Sequence, residues 1–125
     1  MGLEEKRAQK EVEEKQVATA AAKIKGIVGV EVPIEVDWAS LPTVQNINWL
    51  YTSLNSVSSA VEKVAKDEMG KQALKEGLKK VVIRKSASRQ TSAAMKDGVL
   101  TLEEHFDGGS WTSADGIKAA IEKGL

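Results

Sequence analysis

KDGVLTLEEHF, residues Lys96 to Phe106, decides how the C-terminal half of this chain is read. Lys96-Asp97-Gly98 is a tight-turn signal, because Gly98 can take the positive φ that a two-residue hairpin demands. After the turn the side chains alternate. Leu100, Leu102 and Phe106 face one way, while Val99, Thr101, Glu103 and His105 face the other. A period of two means a strand with one buried face. Upstream, Val81, Val82 and Ile83 form a short β-prone run that ends near Ser86. Between the two lies 89–95, starting at Arg89, which reads either as the middle strand of a meander or as a loop.

The same residues resemble the second half of a calcium-binding EF-hand loop. With Gly98 at position 6, Asp97 falls at 5, Leu100 at 8 and Glu104 at 12. Positions 1 and 3 then fall on Ala93 and Met95, which offer no side-chain oxygen. The segment where the entering helix would stand, VVIRKSASRQTS, is β-branched and Ser-rich. Calcium binding is therefore not expected, and the stretch is read as a strand.

Working toward the N-terminus, 43–78 carries the strongest helical pattern. Val44, Ile47, Leu50, Tyr51, Leu54, Val57, Val61, Val64 and Ala65 lie on one stripe, which Met69, Ala73, Leu74 and Leu78 extend. Asp67 can cap a second helix, and Gly70 and Gly77 favour a break, so one helix or two are both open. Ser40 or Leu41 is the expected cap of this element, with Pro42 in its first turn. GVEVPIEVD (29–37) alternates Val30, Val32, Ile34 and Val36 with Glu31, Pro33, Glu35 and Asp37, and predicts a strand. Pro33 cannot donate to a ladder, which places that strand at a sheet edge or a bulge.

Gly2 to Lys25 is rich in helix-forming residues and has no Pro. Residues 1–16 are mostly charged and read as a solvated or frayed helical arm. From Val17 onward the apolar spacing predicts docking, so 17–125 reads as one domain. Sustained apolar a and d positions are missing, which argues against a coiled coil. Asp107-Gly108-Gly109 forms a closing turn, Thr112 or Ser113 caps a last helix through Lys123, and Trp111 covers the end of the core. The expected fold is α+β. It is a single domain with a small antiparallel sheet of 3–4 strands, helices on one face and the order α-β-α(α)-β-β-(β)-α.

The 125 residues suit one domain. Without cysteine there is no disulfide and no thiolate metal site. The N-terminal segment has no apolar h-region and no apolar run approaches a membrane span, so a soluble, cytoplasmic protein without membrane contact is expected. Eighteen Lys and Arg balance eighteen Asp and Glu. They are unevenly spread, with 63–96 strongly basic and its flanks acidic. That basic run lacks interleaved aromatics, so a solvated face paired with acidic neighbours is expected in place of nucleic-acid binding.

His105 is the single histidine, and Glu103, Glu104 and Asp107 lie beside it in sequence. A general-acid/base site would draw on His105 with Glu103, and on Arg84 or Tyr51. No nucleophile elbow, P-loop or dinucleotide fingerprint occurs, and one histidine without cysteine does not supply an ordinary zinc set. No metal or cofactor is expected. Trp49, Leu50 and Tyr51 are consecutive on a helix and cannot all point inward, so Trp49 or Tyr51 is a candidate anchor for a partner. The expected function is a small non-enzymatic protein-binding or adaptor domain, through a partner or self-association. The alternative is a small enzyme or ligand-binding domain with a pocket between sheet and helices near His105.

Overall fold

A computed structural model describes residues 2–87, 90–106 and 111–125. Arg89 and Asp107-Gly108-Gly109, on which two expectations fell, lie outside them. The chain is α+β, with a single four-stranded sheet and six α-helices among the described residues.

The N-terminal segment is one unbroken helical rod. α1 (Leu3–Val12) passes through a π turn (Glu13–Val17) into α2 (Ala18–Val28), with Ala18 N–H donating to Glu13 O. The π turn has a packing reason. Five residues along an α-helix rotate a side chain by about 140° from its start, which would turn Val17 away from Val12. A turn closing from i to i+5 returns it to the same face, and Val12, Val17, Ala20, Ile24 and Val28 are all buried. The 1–16 segment thus runs continuously into the rest, and α1 packs on α3. Gly26 lies within α2, and Gly29 ends it at φ +91°.

The 43–78 segment forms three helices: α3 (Val44–Asn48), α4 (Leu50–Val64) and α5 (Glu68–Gly77). Thr43 caps α3 by accepting from Asn46 N–H at 3.1 Å, in place of the expected Ser40 or Leu41. Asp67 caps α5 as its sequence predicts, accepting from Gly70 N–H at 2.8 Å. Met69 does not join the apolar stripe. It sits in the first turn of α5 and is 83% exposed, because the helix restarts at Asp67 with its own buried face on Leu74.

β1 (Ile34–Val36) is shorter than the alternation predicts, since Pro33 cannot extend the ladder; its carbonyl accepts from Val81 N–H at 3.0 Å. β1 lies at a sheet edge, as Pro33 required. β2 (Lys80–Lys85), β3 (Ser92–Lys96) and β4 (Val99–Glu104) complete the order β1-β2-β4-β3. The expectation of an antiparallel sheet is corrected here. β1, β2 and β4 run parallel, and only β3 and β4 pair antiparallel. The three helices between β1 and β2 supply the long crossover that parallel pairing needs. β4 then inserts between β2 and β3, because its Leu100 and Leu102 require a central position that the small residues of β3 do not. The β3–β4 turn has φ +52° at Asp97 and +82° at Gly98, the signs of a type I′ hairpin.

Helices cover one sheet face. Ile34, Val81, Leu100 and Met95 form one row beneath them, and Val36, Ile83, Leu102 and Ala93 the next. α4 and α6 (Ala114–Gly124) close this core with Leu54, Val57, Ile117 and Ile121. Ser113 caps α6, accepting from Gly116 N–H at 3.0 Å. The other face is open and carries Glu35, Val82, Arg84, Thr101 and Glu103. Alternation would put Glu31, Glu35, Asp37, Thr101, Glu103 and His105 on this face, but Glu31 and Asp37 lie outside the strands and His105 follows the end of β4. The basic segment pairs with its acidic flanks, through Lys80–Glu35 at 2.8 Å, Arg84–Glu103 at 3.4 Å and Lys63–Asp115 at 2.8 Å.

Candidate functional site

The sequence candidates for acid–base chemistry do not gather in one place. Glu103 lies on the open sheet face beside Arg84. His105 is half-buried past the end of β4, and among the described residues it has no hydrogen bond or ion pair. Tyr51 is on α4, in the helix layer, so the sheet separates it from Arg84 and Glu103. Asp107 lies outside the described residues. Among the described residues no group of three or more His, Cys, Asp or Glu side chains could hold a metal ion. No helix there is long and apolar enough to cross a membrane.

What does gather lies at the carboxyl ends of the parallel strands, the edge where open α/β sheets present their ligand sites. Glu104 ends β4 on the same face as Leu100 and Leu102 and is 1% exposed. Its Oε2 accepts from Thr112 N–H at 2.9 Å, while Oε1 is buried without a hydrogen-bond partner. Burial pushes its carboxyl upward from the ordinary value; the Thr112 amide lowers it only in part, and the hydroxyl, close but off hydrogen-bonding geometry, adds little. Lys85 ends β2 in register with Glu104. Its Nζ donates to Oδ1 of the buried Asn46 at 3.1 Å. Its backbone N–H donates to Ser40 Oγ at 3.0 Å, and Ser40 Oγ donates in turn to Asp37 O at 2.6 Å. This clasp ties the 3₁₀ turn Trp38–Ser40 to the end of β2.

Beside this polar cluster stands an aromatic one. Phe106 is fully buried at φ +64°, a backbone conformation that costs a bulky residue on the order of 1–3 kcal/mol. The ring's burial and the edge of Trp111, at 5.0 Å and 82°, hold it there. Trp111 in turn stacks on Trp49 at 6.0 Å. Trp49 and Tyr51 are both exposed, at 37% and 51%. Trp49 lies in the turn between α3 and α4 against Trp111, while Tyr51, in the first turn of α4, faces α2 and does not join that stack.

Comparison of the chain with protein-family models, with curated proteins and with solved structures finds no match. The site therefore rests on its own geometry. Sequence reasoning names Glu104 as a neighbour of His105 and not as a site residue, although it shares the parity of Leu100 and Leu102, so a strand through 99–104 carries its carboxyl inward. The Trp49–Trp111 contact joins residues 62 positions apart and left no local trace.

Proposed function

We propose that this chain is a small non-enzymatic binding domain that docks a protein partner at the carboxyl end of its parallel strands. The observation that carries the reading is the Trp49–Trp111–Phe106 stack. A partly exposed Trp whose inner face already rests on a second aromatic, itself seated on a buried third, is ordered before any partner arrives. Little side-chain entropy is then lost on docking, and pre-ordered Trp anchors dominate interface energetics. The part-buried polar clasp of Ser40, Lys85 and Asn46 fixes the start of α3, the helix that leads into Trp49.

The test is a photo-crosslinking amino acid placed at position 49 in the native host, with the exposed position 62 as control. A discrete protein adduct from position 49 and none from 62 is expected, and Trp49→Ala should abolish partner binding with the far-UV spectrum unchanged. Identical products from both positions would remove the reading.

A second reading is favoured by one observation, the buried and half-partnered carboxyl of Glu104. It makes the same strand ends a ligand or catalytic pocket, with His105 at its edge. Native mass spectrometry of the protein isolated without denaturation separates the two. A small molecule retained by the wild type and lost from Glu104→Gln and His105→Ala would favour the pocket.

A further inference from the structure

The other exposed aromatic, Tyr51, belongs to a different surface. Where the π turn meets α4, the helices leave an open groove of about 200 Å³. Ala20 and Leu54 form its apolar floor, and Tyr51 stands as one wall. Its lining contains two lysines, Lys15 and Lys23, and no acidic residue. Lys15 pairs with Glu11 at 3.3 Å, but both side chains are largely exposed, so the pair exchanges at little cost. Lys23 has no ion-pair partner among the described residues. Gln16, carried on the π turn, presents an Oε1 that is buried without a hydrogen-bond partner.

We infer that this groove binds an acidic, amphipathic helical segment of a partner protein. Three features select that occupant. The volume is below the roughly 300–1,000 Å³ of small-molecule sites and suits one or two inserted side chains. The groove lies between two helices and is open along them, which is the geometry that receives a docking helix. Its cations stand eight residues apart, about 12 Å along the axis. A single carboxylate satisfies only one of them. A helix with acids two turns apart and an apolar residue between satisfies both, seating that residue on Ala20 and Leu54. The π turn, which aligns Val12 with Val17 in the core, thereby also shapes the binding surface, and such turns recur at functional sites.

The site is separate from the aromatic ledge: Tyr51 lines the groove, whereas Trp49, in the turn before α4, stacks on Trp111 and does not line it.

The experiment is selection of a displayed random 16-residue peptide library against the full chain. Enriched peptides are expected to carry Asp or Glu about two turns apart around a Leu, Met or Phe. The double variant Lys15→Glu/Lys23→Glu, with both changes at exposed positions, should bind them at least tenfold more weakly. Tyr51→Ala should weaken them several-fold, and Trp49→Ala should leave them unchanged. Enrichment of neutral or basic peptides, no enrichment, or equal binding to the double variant would overturn the proposal. Loss of binding in Trp49→Ala with the double variant unaffected would assign the peptides to the ledge instead.

Discussion

Glu104 carries the largest electrostatic tension at the residue scale. A carboxyl whose folded-state pKa lies above its unfolded value holds its proton longer in the folded chain. The folded state then binds more protons than the unfolded one between those two values, so stability falls as pH rises through that window. Below the unfolded value both states are protonated and the cost vanishes. Gln mimics the protonated side chain and keeps an acceptor for Thr112 N–H. Glu104→Gln is therefore expected to stabilise the fold at pH 8 by on the order of 1 kcal/mol. The gain should shrink as pH drops toward the ordinary carboxylate range. Urea melts of both proteins at pH 4.5 and pH 8 check this, and an equal gain at both would show that charge is not the cause.

At the scale of elements, two glycines inside helices make opposite predictions. A Cβ on Gly70 would lie 1.8 Å from the Val64 carbonyl oxygen, because α5 starts hard against the end of α4. That neighbour is backbone and has nowhere to go, so Gly70→Ala is expected to cost about 1–3 kcal/mol or more. At Gly26, within α2, nothing lies within 4 Å of the added atom. Gly26→Ala relieves only the conformational entropy of glycine and should stabilise by about 0.5–1 kcal/mol. Thermal unfolding of the two variants in parallel is the measurement. Equal effects would mean that propensity, not the α4–α5 contact, sets the outcome. Helix boundaries followed the same logic. Asp67 was legible as a cap because its side chain acts on its own next turn, whereas the π turn exists only because Val12 and Val17 must meet the same neighbours.

For the whole molecule, the continuity of the N-terminal rod with the core has a measurable consequence. Val12 is 3% exposed and α1 lies on α3. Burying one such side chain contributes about 1.5–3 kcal/mol. Deletion of Gly2–Gln16 is expected to lower the unfolding free energy from urea melts by at least that amount, with a lower midpoint, while leaving one cooperative transition. An unchanged midpoint would place the segment outside the folding unit, as its charge content had suggested.

What the residues determined unaided has a local period or a local bond. The strand at 99–104, the hairpin turn at Asp97-Gly98, the edge position imposed by Pro33 and the α+β class all follow from alternation, φ preference and a missing donor. That Trp49, Leu50 and Tyr51 would not all point inward was legible too, and only Leu50 is buried, although Trp49 falls in the turn before α4. Tertiary structure alone decided the parallel pairing of β1, β2 and β4, for a period of two is the same whichever way a neighbour runs. It decided as well the fates of Glu103 and Glu104, which alternation already sends to opposite faces: one is ion-paired in the open and one is buried. The stacking of Trp111 on Trp49 and the groove at Lys15 and Lys23 belong to the same class. They join segments distant along the chain, and their free energy comes from surfaces that exist only once the helices have packed.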